Sequence, residues 1–499
     1  MTSSVASPGD PPRLIRNTVW NIAGQVAPLT VAVLTLPALI QTVGLERFGF
    51  ISLVWVLVGY ASVFDFGIGR ALIRTVSARL ARGDQAGAHD SAQAGLFFLT
   101  LFGLVIGAAL ALAGDWLVES VLRVPEALQA EARPAMLLLA ASLPFVMLTA
   151  GYGGALSAYQ RFRELNLIRV AMGVAGYLGP LLVALWINRL DVIVAFVFAM
   201  RVVGTLAHAW ASSRYCGFRW RLALPEPGAS RELFSLGGWM AVSNVVGPLL
   251  SYLDRLLLAM LVPMRSVAFY ATPFDLVSKL MILPYSIMAA LFPTASAVVP
   301  GSPTAHRMLL DSMRLLFLLM FPMVFAVVVL ARPGLDLWLG AEFAENASLV
   351  VQVLAVGILF NALAQGPALM IQAAGRPAWM AVLHMVELPV FIGALWWLTE
   401  RYGIVGTAFA SAGRNAVDAL AVLLLGWRGI AKGPLALRGA LLPVAVAVAL
   451  LAAAAWPSNW TQALPVLAAG LFGFAVYAWT CVLKPPERSR LLTLAREPL

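Results

Sequence analysis

The chain has 499 residues, of which 61% are apolar and only 12% charged, and its mean hydropathy is +0.87. That is far more hydrophobic surface than a water-soluble domain can bury, so the sequence reads as a polytopic membrane protein. The formal charge of +10 does not indicate nucleic acid, because the basic residues are scattered through short loops between apolar runs and not gathered on one domain.

Apolar runs of about 18 to 25 residues suffice to cross a bilayer as helices. Fourteen follow one another, at 17–39, 48–69, 92–113, 135–157, 168–187, 192–212, 235–262, 267–297, 313–331, 348–372, 378–398, 404–426, 439–456 and 463–483. The first sixteen residues lack the apolar core and cleavage site of a signal peptide, so they are expected to remain as a cytoplasmic tail. Pro28, Pro144, Pro248, Pro284 and Pro322 lie inside these runs and predict kinks, which neighbouring helices and water tolerate by satisfying the freed carbonyls. Placing the N-terminus inside puts most Lys and Arg residues on one face, which makes both termini cytoplasmic. The two cysteines, Cys216 and Cys481, have no partner at metal or redox spacing. No connecting loop is long enough for a soluble catalytic domain, and no GxxxxGK(S/T) or HExxH motif appears, so the reading is a transporter without catalytic residues or a bound metal.

The first six runs repeat weakly in runs seven to twelve. Trp20 pairs with Trp239, Pro28 with Pro248, Arg47 with Arg265, Trp186 with Trp396 and Arg201 with Arg414, at an offset of about 210 to 220 residues. Six is even, so both halves start on the same side of the membrane. The expected fold is therefore all-α: about fourteen transmembrane helices, in two pseudo-symmetric six-helix lobes around a central cavity, with two added C-terminal helices. The expected division is a tail at 1–16, an N-lobe at 17–212, a cytoplasmic loop at 213–234, a C-lobe at 235–426, two further spans within 427–483, and a tail at 484–499.

Charges inside the spans are expensive in lipid, at about 2.5 to 3.5 kcal/mol each on insertion scales, so they must face a polar interior. Arg201 and Arg414 occupy equivalent mid-span positions in the two lobes and point to one cavity. Lys279 lies near the middle of the eighth run, with Asp275 one helical turn before it, while Asp254 and Arg255 are adjacent on the seventh. Asn17, Asn21 and Gln25 are spaced four apart, on one face of the first helix. The tenth run adds Gln352, Asn361, Gln365 and Gln372. His384 and Glu387, three apart, form a candidate proton-titrating pair, and Asp418 follows Arg414 by four. Asp65 closes the second run, followed by Arg70 and Arg74, which are either topology charges or an entry point for an anionic headgroup. Each of these ions and amides has a plain alternative as a packing pair or an interhelical hydrogen bond.

Several stretches in order carry a family likeness. GLERFGFISLVWVLVGYASVFDFGIGRALIRTVSARLARGD (44–84), GGALSAYQRFRELNLIRV (153–170), YLDRLLLAMLVPMRSVAFYATPFDLVSKL (252–280) and LDLWLGAEFAENAS (335–348) resemble the polysaccharide-exporter branch, the Wzx-like oligosaccharide flippases, of the MOP superfamily. That superfamily also contains MATE drug exporters and the lipid II flippase MurJ. The resemblance implies alternating access and the outward transfer of undecaprenyl-diphosphate-linked oligosaccharide for surface polysaccharide or O-antigen synthesis. It also implies partners among membrane lipids, glycosyltransferases or a glycan polymerase, and no nucleic acid. Family cations in the cavity would fall on Arg201, Arg255, Lys279 and Arg414, with Asn21 and Gln25 beside them. The alternatives are a MATE-like cation-coupled multidrug exporter and a MurJ-like lipid II flippase, the latter disfavoured by the absence of arginines within the first span. No cofactor is expected, and proton or sodium coupling through Asp254, Asp275, Asp418, Glu387 or His384 is left open.

Overall fold

The computed structural model describes residues 11–61, 68–218, 224–228, 230, 250, 253–431, 437–483 and 488, with the side chains of 11–26, 59–61, 70, 289, 293 and 437–444 outside the description. Every regular element among these residues is helical. Two compact units are present, Met1–Ala268 and Phe269–Leu499.

The first unit contains α1 (Pro11–Val43), α2 (Leu45–Ala61), α3 (Ile68–Ala81), α4 (Gln85–Trp116), α5 (Glu126–Ala158), α6 (Phe162–Trp186), α7 (Leu190–Cys216) and a short α8 (253–261). At 1.5 Å per residue, a helix of 33 residues such as α5 runs about 50 Å, longer than the hydrocarbon core of about 30 Å. Its ends therefore stand in the interfacial layers, where polar caps are found. Asp84 caps α4 by accepting the Gly87 N–H at 2.8 Å. Within the apolar slab there is little hydrophobic drive between helices, so close approach decides which faces meet. Gly103 and Gly107, one turn apart on α4, press against α5 so tightly that a β-carbon would stand 2.6 Å from Pro144 Cα and 2.7 Å from the Ala140 carbonyl oxygen. At the polar end of the bundle, Arg47 donates twice to the Glu131 carboxylate, at 3.0 and 2.7 Å, and that carboxylate also accepts the Leu190 N–H at 2.8 Å. The starts of α2, α5 and α7 are thereby joined through one acid.

The second unit takes up the last part of α9 (Met264–Ser278), then α10 (Ile282–Ser296), α11 (Pro303–Leu339), α12 (Ala341–Ala373), α13 (Pro377–Gly426), α14 (Leu437–Ala453) and α15 (Trp460–Tyr477). The continuous helix expected over 267–297 is interrupted by a 3₁₀ turn at Lys279–Met281. Pro284 accounts for it, since proline lacks the N–H that would bond the carbonyl of residue 280 and its ring crowds that carbonyl. Lys279 therefore opens the 3₁₀ turn, with Asp275 four residues before it in the last turn of α9.

Helix α13 has 50 residues, about 75 Å if straight, which no single crossing accommodates. It does not run straight. Gly403 adopts φ 57°, ψ −138° and folds the chain back on itself. The Thr399 and Thr407 hydroxyls meet at 2.9 Å across the bend, and His384 Nε2 lies 3.4 Å from Asp418 Oδ1, although 34 residues of straight helix would separate them by about 51 Å. The two arms are the expected spans 378–398 and 404–426, joined by a single glycine where a short loop was anticipated.

Nine helices among the described residues are long and apolar enough to cross a membrane, the hinged Pro377–Ala431 stretch counting as one of them, and Ala27–Val43 is a shorter apolar helix. Most of the expected seventh run, and Asp65 at the end of the second, lie outside the described residues.

Candidate functional site

Each unit holds a polar constellation among its described residues. In the first, a cavity of about 730 Å³ is walled by one face each of α5, α6 and α7, with contributions from α2 and α3. The lining of α6 is Arg169, Met172, Gly173, Gly176 and Tyr177, the spacing of a single helical face. On α7 it is Val197, Met200, Arg201, Gly204 and His208, and on α5 the small residues Ala150, Gly153 and Gly154 leave the room that larger side chains would fill. Trp55 and Tyr177 form an edge-to-face aromatic pair on the wall, with ring centroids 5.3 Å apart.

Arg201 is half-buried, and Arg169 reaches into the same space. Among the described residues neither guanidinium makes an ion pair, and none of the lining residues is an acid. His208 is buried, with Nδ1 donating to the Gly204 carbonyl at 2.7 Å, which leaves Nε2 for the cavity. The shared hydroxyl contact of Thr149 and Thr205, at 2.9 Å, holds α5 to α7 beside Arg201. Two positive forks with no carboxylate between them are suited to bind a multivalent anion bidentately.

The second unit's constellation is mixed in sign. Arg414 makes no ion pair with Asp418 among the described residues and donates to Asn415 Oδ1 at 2.6 Å, with its guanidinium 5.4 Å from the centre of the Phe391 ring. Asn361 reaches Asn415 at 3.5 Å, and Gln365 donates to Asn361 at 3.0 Å. Asp418 instead faces His384, and Glu387 joins them. The expected local pair of Arg414 with Asp418 is thus replaced by a contact between the two arms of α13. Gln352, expected at a cavity, donates to the Val328 and Ala455 carbonyls at 3.2 and 2.8 Å and serves as an interhelical tie.

The remaining expected residues are placed as follows. Asp254 and Arg255 are both buried, with the Arg255 N–H bonded to Asp254 Oδ1 at 2.8 Å. Asp275 is half-buried, while Lys279 and Arg74 are exposed. The side chains of Asn21, Gln25 and Arg70 lie outside the described residues. Arg169, His208 and Tyr177 were missed by sequence reasoning, although the four-residue spacing of Arg169, Gly173 and Tyr177 along α6 is a signal that finds them.

The family model for Polysaccharide biosynthesis protein matches residues 43–348, more than half of the chain. The chain belongs to this polysaccharide biosynthesis family. A Shigella flexneri protein provisionally assigned as an O-antigen transporter is 28% identical to this family member over 424 residues, covering 83% of the chain and 97% of the relative. Among solved structures, the lipid II flippase MurJ in an inward closed conformation superimposes with a TM-score of 0.69 at 13% identity, covering 93% of this chain and 98% of MurJ. An inward-facing MATE-family multidrug transporter of the MOP superfamily superimposes with a TM-score of 0.64 at 15% identity, covering 83% and 94%. This polysaccharide biosynthesis protein therefore shares the fold of these two solved proteins, and its long apolar helices are those of a multi-pass membrane protein.

Proposed function

We propose that the chain carries lipid-diphosphate-linked oligosaccharide from the cytoplasmic to the outer leaflet of a bacterial inner membrane by alternating access, for O-antigen or related surface polysaccharide. The observation that carries this reading is the acid-free cavity holding Arg169 and Arg201. An isolated ion leaving water for an apolar medium meets a barrier of tens of kcal/mol by idealised Born estimates. A cavity that offers two unpaired guanidinium forks lowers that barrier for a diphosphate, while the prenyl chain stays in lipid. The aromatic wall of Trp55 and Tyr177 supplies apolar faces against which a sugar ring packs. An inside-negative potential adds about 2.3 kcal/mol per negative charge per 100 mV in the outward direction. On this proposal both termini are cytoplasmic, glycosyltransferases supply the substrate, and a polymerase or ligase consumes it.

The test is charge reversal within the cavity. Arg169→Glu and Arg201→Glu, expressed in a host lacking its own flippase, should abolish surface glycan while the protein still reaches the membrane at parental abundance. Arg201→Lys, which keeps the charge and loses the fork, should be intermediate. Parental glycan display by both reversed variants removes the proposed anion seat.

A further inference from the structure

A second group of ligating atoms belongs to the other unit, inside the hairpin of α13. His384 Nε2, a Glu387 carboxylate oxygen and an Asp418 carboxylate oxygen all lie within 4.8 Å of one another. Two of these residues are on the first arm and one is on the second, so Gly403 brings them together. We propose that they bind one borderline divalent transition-metal ion, of the Mn²⁺ to Zn²⁺ kind, which clamps the two arms of the hairpin.

Three observations carry this. First, Glu387 is only 8% exposed and Asp418 9%, yet both Glu387 oxygens and Asp418 Oδ1 are buried without a hydrogen-bond donor. Buried carboxylates without partners are costly unless paired or bound to a metal. Second, the 3.4 Å between His384 Nε2 and Asp418 Oδ1 exceeds the usual length of a charge-assisted hydrogen bond. It matches the distance between two ligands on a tetrahedral ion, about 3.4 Å for metal–ligand bonds near 2.05 Å. Third, among the described residues no Lys or Arg makes an ion pair with these two carboxylates: Arg414 donates to Asn415 and lies against the face of Phe391. The donor set decides the class of ion. An imidazole nitrogen with two carboxylates suits borderline divalent metals, whereas hard alkali ions favour oxygen alone.

The experiment uses the full-length protein in nanodiscs, purified without a polyhistidine tag. Mn²⁺ is titrated by electron paramagnetic resonance, and bound Zn²⁺ is counted after dialysis. The proposal expects one ion per chain, a nitrogen hyperfine coupling from imidazole, and a rise in melting temperature with Mn²⁺. His384→Ala and Glu387→Gln should each weaken Mn²⁺ binding at least tenfold and remove the melting shift. Glu387→Gln deletes a buried charge, so without metal it should melt no lower than the parent, which separates lost ligation from lost folding. No stoichiometric binding of Mn²⁺ or Zn²⁺, a melting response to Na⁺ alone, or binding unchanged in both variants overturns the site.

Discussion

Replacing Gly403 by alanine tests the hairpin from which the polar group of the second unit is built. At φ 57°, ψ −138°, the residue stands where a β-carbon is strained, although no neighbouring atom would touch that carbon. The cost is therefore conformational and not a clash, about 1 to 3 kcal/mol for a non-glycine residue held in a sparsely populated region. For a unit of this size, each kcal/mol lowers the melting temperature by about 2 to 4 °C, so Gly403→Ala should melt about 2 to 12 °C lower.

Gly393→Ala is the matched control. It lies within the first arm of α13 at ordinary helical geometry, and an added β-carbon there also meets nothing. In water a helix gains up to about 1 kcal/mol from glycine to alanine, so this variant should melt at or above the parent. Tryptophan-fluorescence melts of both variants, purified side by side in one detergent, are the assay. Equal shifts in the two, or a Gly403→Ala protein as stable as the parent, would falsify the claim that this one backbone conformation sets the fold of α13. Because the bend also brings His384 to Asp418, Gly403→Ala should weaken Mn²⁺ binding along with stability, whereas Gly393→Ala should leave it unchanged.

Two further outcomes follow from other contacts. Gly176 lines the arginine cavity, and a β-carbon there meets open space, so Gly176→Leu should leave the melting temperature within a few degrees of the parent while lowering surface glycan display; normal display would separate the cavity from the transport route. Gly107→Leu drives a side chain into the α5 backbone at Ala140 and should lower membrane abundance and stability by several kcal/mol, read as loss of the monodisperse peak in fluorescence-detected chromatography.

Most of the helical framework is legible in the sequence because the bilayer imposes it: a run must be long and apolar to span, and basic loops punctuate the runs. The polar sites are less so. Arg169 opens an apolar run and therefore reads as the boundary of a cytoplasmic loop, whereas the helix begins earlier, at Phe162, and turns that guanidinium into the cavity. Asp418 lies four residues after Arg414, a spacing that suggests a local pair, yet the fold-back at Gly403 offers it His384 instead. The sequence marks a break between two spans at 399–403, but nothing in it sets which residues of the two arms meet. Gln352 shows the opposite error, a mid-span amide that looks like cavity lining until two carbonyls absorb it.

Which arginines are available to an anion is likewise a tertiary property. Arg47 is held by Glu131, Arg189 by Asp191, and Arg133 by Asp115 and Glu119. An incoming phosphate at any of these must displace a carboxylate, giving up one charge-assisted bond of about 1.5 to 3 kcal/mol to form another. Arg169 and Arg201 require no such exchange among the described residues, so the whole of their attraction remains for a ligand. The total of 34 basic residues therefore says little about phosphate binding, since arginines such as Arg47, Arg133 and Arg189 are already paired. What distinguishes the cavity is the absence of acids beside two arginines, and that follows from the faces α6 and α7 turn toward each other, which no count along the chain records.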